Sequence, residues 1–306
     1  MPKIFYTSNH DAHDIYSSCL LLQMTFNKDD LTDILKNFAS SHKGVLYPNS
    51  RFNTATQINE IPWKLVRAAL WQFYANLCML CESEETELVH QARIGWRRFR
   101  GTCRLLRTMG ELPEPPQTGP MQIMLEQLRA LREIHVTRFE ILPRIPCNSK
   151  EWQSLSTALE ADAHVRLNAL RTLLQDAQIG SILWQYVLWL IQLRDESDLT
   201  PSHKQEQVLP APWIKQQVTK IHLEFQRAFA HRKDAASQHR ARIWAKRLRY
   251  TLEDFEGLLP RSVQSWSKAV TKVQEKFGDQ RDTHMAARLA ERHGAKKIAK
   301  QIRSLT

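Results

Sequence analysis

Residues 90–100 read HQARIGWRRFR and residues 239–249 read HRARIWAKRLR. At a constant offset of 149 they share His90/His239, Ala92/Ala241, Arg93/Arg242, Ile94/Ile243, Arg98/Arg247 and Arg100/Arg249. Arg97/Lys246 keeps the charge and Phe99/Leu248 keeps the apolar character. The match continues outward. Trp63 of a Pro62-Trp63 pair lies 27 residues before His90, and Trp213 of a Pro212-Trp213 pair lies 26 before His239. Leu112-Pro113 and Leu259-Pro260 close the two segments. An internal repeat of this length means that each half opens on a Pro-Trp helix, turns, and enters a long basic helix.

In the first copy His90, Arg93, Arg97, Arg100 and Arg104 are spaced 3, 4, 3 and 4 apart. On a helix they fall in a sector about 80° wide. Leu88, Ala92, Trp96, Phe99, Cys103 and Leu106 occupy the neighbouring sector, so one side packs while a cationic row stands beside it. His239, Arg242, Lys246 and Arg249 repeat the row. Arg98 and Arg247 point elsewhere and serve either an anion or the fold. A solvated helix face mixes signs, yet between Leu88 and Arg107 there are six arginines and no acid. Like charges one turn apart cost a helix about 0.2–0.5 kcal/mol per pair. Glu82, Glu84, Glu85 and Glu87 lie upstream, where they suit a helix N-terminus after a Ser83 cap. An external anion therefore supplies the missing countercharge. The planar fork of arginine holds two oxygens of one phosphate. A row advancing about 5.4 Å per turn offers a ladder of such sites. His90 and His239, beside cations, favour the neutral form and can donate one N–H to an oxyanion. Surfaces that read bases interleave aromatics with cations. Trp96, Phe99 and Trp244 lie off the cationic sector and read as core, which suits a polymer with phosphates and no bases.

The rest of the 306-residue chain agrees with a helical body. Glycine is scarce, 9 residues against a usual share of about 7%, which excludes Gly-loop nucleotide folds and disfavours a turn-rich β-sandwich. Ten of 13 prolines fall at 113–120, 143–146, 201–212 and 260, leaving Pro-free stretches in which helices can run. These are rich in Leu, Ala, Gln, Glu, Arg and Lys with apolar spacings of 3 and 4, and no period-2 run is evident, so the reading is all-α. The expected organisation is an N-terminal extension over 1–60, with a short helical candidate near Asp30–Phe38. A helical domain over 61–306 follows, divided into halves at 61–200 and 201–306. Ile182–Leu193 is the most apolar stretch. At 12 residues it is too short to span a bilayer and reads as a buried helix. The net charge of +11 points to a polyanionic partner. Five irregularly spaced cysteines and an N-terminus without a secretory pattern place the chain in a reducing cytoplasm, with no membrane partner.

The paired helices resemble the CHAD domain, the conserved histidine α-helical domain. Its hallmark is His-x-x-Arg-x-x-x-Arg-Arg-x-Arg in one half and His-x-x-Arg-x-x-x-Lys-Arg-x-Arg-Tyr in the other. His90, Arg93, Arg97, Arg98 and Arg100, then His239, Arg242, Lys246, Arg247, Arg249 and Tyr250, fit that pattern. Phe277, Gly278, Asp279 and Asp282 are similar to the family's Leu-Gly-Asp-x-x-Asp turn, and the resemblance covers about residues 62–300. It implies two pseudo-symmetric antiparallel helical bundles around a basic central channel. It also implies binding of inorganic polyphosphate without catalysis, on polyphosphate granules. By that resemblance His90, Arg93, Arg97, Arg100, His239, Arg242, Lys246 and Arg249 line the channel. Arg98, Arg104, Arg247, Arg129, Arg132, Lys268 and Lys272 are secondary anion-binding candidates. Two features depart from the family. Where its first half carries an Arg-Asp pair near the third helix this chain reads His135-Val136, and residues 1–60 lack the Glu-x-Glu-x-Lys strand of the triphosphatase-like domain found in many relatives.

Other chemistry has thinner support. Cys78 and Cys81 form a lone C-x-x-C at the end of an apolar helix, where cysteine is commonly core. A metal-dependent phosphohydrolase needs carboxylates beside its ligands, whereas the flanks of His90 and His239 are cationic. No Gly-rich phosphate loop or nucleophile elbow is present. The expectation is a non-enzymatic binder with no cofactor and no metal. General nucleic-acid binding is the alternative, and a metal phosphohydrolase comes behind it.

Overall fold

The computed structural model describes residues 60–108, 113–146, 149–199, 210–232 and 234–305. The expected extension up to residue 59, its Asp30–Phe38 helix, Leu112, Cys19, Cys147 and the boundary at 200/201 lie outside these residues. The all-α expectation holds: every regular element is helical, with no strand among the described residues.

Helix α1 (Ile61–Glu82) starts with Pro62 in its first turn, where a missing N–H costs nothing. It is apolar on most sides and buries Leu65, Val66, Leu70, Phe73, Tyr74 and Leu77. Ser83, expected to cap the next helix, instead ends α1 in an extended conformation, and its Oγ accepts the Glu85 N–H at 3.2 Å. Helix α2 (Thr86–Leu106) begins three residues later with Glu85 at its N-cap position. The two helices pack backbone to backbone at Gly95: a Cβ there would stand 2.5 Å from the Phe73 nitrogen and 2.9 Å from the Gln72 carbonyl carbon. Only glycine permits that approach.

A proline-rich connector leads to α3 (Gln122–Val136), which runs into a π-helical turn at Thr137–Ile141. Then follow α4 (Lys150–Leu174), capped by Ser149, and α5 (Ala177–Leu199). The Ile182–Leu193 stretch lies inside α5 and buries Leu183, Tyr186, Val187, Leu190 and Leu193, as its hydropathy requires. Tyr186 and Trp189 also hold the connector. The Tyr186 hydroxyl donates to the Pro116 carbonyl at 3.2 Å, and Trp189 Nε1–H donates to the Pro113 carbonyl at 2.9 Å.

The second half opens on α6 (Pro210–Ala230) and α7 (Ala235–Asp254). A reciprocal capping box between Asp234 and Ser237 fixes the start of α7. The short α8 (Arg261–Gln264), the long α9 (Trp266–Arg292) and α10 (Lys296–Arg303) complete the fold. The two sequence halves do not have separate cores. One apolar cluster takes Leu70, Phe73, Trp96 and Leu190 from the first half and Ile214, Val218, Leu248 and Leu252 from the second. A smaller cluster joins α4 to the end of α9 and α10 through Leu155, Leu159, Ala286 and Ile298. Helices α2 and α3 pack together, as do α7 and α9, and α3 touches α9. This arrangement brings the two basic helices to a common space.

Candidate functional site

Helices α2 and α7 turn their cationic edges toward one another across a cavity of about 540 Å³. Arg93, Arg97, Arg98 and Arg104 line it from α2; His239, Arg242, Lys246 and Arg247 line it from α7; Arg281 reaches it from α9. Asp254 is the one carboxylate among the lining residues. A cross-helix hydrogen bond from Arg97 Nη1 to the Tyr250 hydroxyl, at 3.0 Å, ties the two walls. Arg98 pairs with Glu253 at 2.5 Å, and the guanidiniums of Arg98 and Arg249 lie 5.4 and 5.0 Å from the centre of the Tyr250 ring.

Crowding of like charge leaves its mark on the protonation equilibria. Burial first, and then the Arg97, Arg242 and Arg281 guanidiniums, push the Lys246 amine down to about 6, against a weaker opposing pull from Asp282. Arg93 is pushed down to about 10 by burial and by Arg97, Arg281 and Arg132, with Glu133 opposing. Arg242 is lowered by burial and by Arg281 and Arg97, Arg104 by burial and by Arg247 and Arg100, and Arg247 by burial. Glu133 and Asp282 thus balance the cluster only in part. Arg242 Nε and Arg247 Nε are buried without a hydrogen-bond partner, a costly state for a cationic donor. The arrangement has the charge and the free donors to take an oxyanion.

Eight of the fifteen candidate residues line the cavity; His90, Arg100, Arg129, Arg132, Arg249, Lys268 and Lys272 do not, and two of the eight are reversals. Arg100, exposed on α2, is not on the cavity wall, and neither is Arg249, which pairs with Glu253 at 3.3 Å. Arg129, Lys268 and Lys272 are exposed on α3 and α9 away from the cavity. Arg98 and Arg247, assigned to another direction by helical spacing, do line it. A wheel drawn for one helix cannot show where the cavity and its other walls lie, which accounts for both results. His90 stands beside the cavity, not on its wall. Burial and then Arg132, Arg97, Arg93 and Lys246 hold it down at about 4, so it is a neutral imidazole at pH 7. His239 is exposed at the rim.

Arg281 lies outside both basic helices, between Asp279 and Asp282 of the family-like motif, so the basic stripes alone do not mark it. The repeat contains the signal: adding 149 to Arg132 and Glu133 gives Arg281 and Asp282. Arg132 and Glu133 act on Arg93, and Arg281 and Asp282 act on Arg242 and Lys246. The arginine–acid pair looked for at His135-Val136 therefore stands three residues earlier, and His135 itself is buried with its charge suppressed. Residues 277–282, expected to turn, run within α9, where Asp279 pairs with Arg144 at 2.5 Å. Trp96 and Phe99 are core, as expected, but Trp244 lines the cavity, with the Arg247 guanidinium 4.4 Å from its ring centre. Cys78 and Cys81 are half-buried with reduced thiols, and among the described residues no group of three His, Cys, Asp or Glu side chains could hold a metal ion. No described helix is long and apolar enough to cross a membrane.

A family model for the CHAD domain matches residues 64–291. Among solved structures, the crystal structure of the CHAD domain from the plant Ricinus communis is similar at 24% identity with a TM-score of 0.73. The match covers 87% of this chain and 90% of that one. No curated protein gives a significant match.

Proposed function

The chain belongs to the CHAD domain family, and from that premise we propose that it binds inorganic polyphosphate, without catalysis, in the cavity between α2 and α7. The observation that carries this reading is the convergence of eight arginine and lysine side chains on one cavity whose wall, among the described residues, includes a single carboxylate. Phosphates threaded along the cavity would meet Arg93, Arg97 and Arg281, then Arg242 and Lys246, each offering N–H donors in fixed positions. A neutral His90 behind this row adds no further repulsion. Metal-assisted hydrolysis needs several carboxylates grouped as ligands, and the described residues offer no group of three His, Cys, Asp or Glu side chains, which favours a binding role. Location on polyphosphate granules follows from such binding.

The test is a competition at fixed ionic strength. Long-chain polyphosphate should displace labelled duplex or single-stranded DNA at equal phosphate concentration, and the reverse displacement should fail. DNA displacing polyphosphate would make the protein a general nucleic-acid binder. Release of orthophosphate that depends on added Mn²⁺ or Mg²⁺ would overturn the non-catalytic reading.

A further inference from the structure

The cavity is not uniform. Lys246, Arg93, Arg97, Arg242 and Arg281 act on one another as a cationic cluster that Glu133 and Asp282 balance only in part. Arg104 and Arg247 form a separate pair, and Asp254 answers to Arg98 and Glu253. The same wall also carries apolar side chains: Trp244, with Arg247 over its ring, and Ile243 of α7, Ile221 of α6 and Leu105 of α2. A bare phosphate chain has no use for an aromatic and aliphatic wall.

We infer that this apolar wall receives the nucleoside end of a nucleoside 5′-polyphosphate whose phosphates lie on the Arg93–Arg97–Arg242–Lys246 cluster. The inference rests on the reading of that cluster as a phosphate site. The Arg247 guanidinium already lies over the Trp244 ring at 4.4 Å, and the pair offers a platform for a base. Stacking on such an arginine–aromatic pair tolerates any base. Ile221, Ile243 and Leu105 would cover the sugar and the base edge. Asp254 supplies the polar contact. Burial, reinforced by Glu253 and opposed by Arg98, raises its carboxyl to about 7, so it can either accept from a ring amino group or donate to a ring nitrogen. A cavity of about 540 Å³ is the size of a small-molecule pocket, not of a nucleic-acid groove.

The experiment compares ATP with inorganic tripolyphosphate by titration calorimetry, with magnesium absent from both. The two have equal phosphate counts, and ATP carries one charge fewer, so charge alone favours the inorganic chain. The expected result is ATP binding about tenfold tighter, the scale of one base–aromatic stack. That ratio should fall toward one in Trp244→Ala and also in Ile243→Ala, a side chain already 37% exposed whose truncation leaves the fold intact. Equal affinities, tighter tripolyphosphate, or a preference that survives both substitutions would overturn the inference. A long-chain polyphosphate titration beside them separates the two failures. If polyphosphate binds and ATP shows no preference, only the nucleoside site is wrong; if none of the three binds, the phosphate reading falls with it.

Discussion

Helices α2 and α7 keep a cationic row at the same spacing, with Lys246 in place of Arg97, and exchange their apolar partners. Where α2 has Gly95-Trp96, α7 has Trp244-Ala245 at the offset of 149. On α2 the glycine lets α1 approach to backbone contact, and Trp96 goes into a buried aromatic cluster, stacked on Phe99 at 5.2 Å and edge-on to Tyr186 at 5.9 Å. On α7 the small residue is the one wholly buried: the Ala245 carbonyl accepts from Gln274 Nε2 at 2.8 Å, and Trp244 stands on the cavity wall. A one-residue shift of the large side chain turns a core aromatic into a cavity aromatic while the cationic row stays in place. The ligand-facing charge and the apolar frame are therefore separable, and each can be tested alone.

The contrast between the tryptophans should be large. Trp96→Ala empties part of the aromatic cluster and should cost about 3–5 kcal/mol in denaturant unfolding. Trp244→Ala removes a half-buried ring and should cost about 1–2 kcal/mol. Equal losses would remove the distinction between core and wall. The small partners differ as well. Gly95→Ala forces a Cβ into the Phe73 backbone, which a flexible side chain cannot relieve, and should cost about 1–3 kcal/mol. Ala245→Gly meets no clash and should cost about 1 kcal/mol through helix propensity.

A subtler consequence concerns pH. The folded Lys246 amine titrates at about 6, well below the ordinary lysine value, so between those limits the unfolded chain binds more protons than the folded one. Stability of the free protein should therefore rise as pH increases from about 6 toward 10, and fall again below about 6.5 as His90, held at about 4, resists protonation. A polyanion in the cavity restores the charge on Lys246, so binding near pH 8 should take up protons, and the melting temperature of the complex should vary less with pH. Lys246→Met should flatten the curve of the free protein above pH 6. A melting temperature independent of pH between 6 and 9 in the wild type would contradict the crowding described here. The smallest effect belongs to Arg249→Ala. That side chain pairs with Glu253 outside the cavity, so polyphosphate affinity should change less than about twofold, within the range of an exposed ion pair.

Much of this was written in the sequence. Proline placement and 3–4 spacing suffice for an all-helical body, because both act within one helix. The repeat places the two basic helices and, through Arg132-Glu133, even carries the address of Arg281-Asp282. What it cannot carry is how α2 and α7 are placed about the cavity. Arg100 and Arg249 lie in the cationic sectors and miss the cavity, while Arg98 and Arg247 lie outside those sectors and reach it. Trp244 failed for the same reason, since a helical wheel shows which residues share a face but not which of two neighbouring elements that face meets. Ser83 went to the wrong helix because its serine–acid pattern fits an N-cap, while the backbone uses it to end α1.

The most direct measurement is a calorimetric titration of long-chain polyphosphate into the wild type and into the Arg93→Ala, Arg97→Ala, Arg242→Ala, Lys246→Ala variant at several salt concentrations. With the cavity as the site, the variant should bind at least about 100-fold more weakly, and the slope of log affinity against log salt should shrink by about 3, at roughly 0.7 per lost phosphate contact. Unchanged affinity and an unchanged slope would mean that polyphosphate, if it binds at all, does so somewhere other than between α2 and α7.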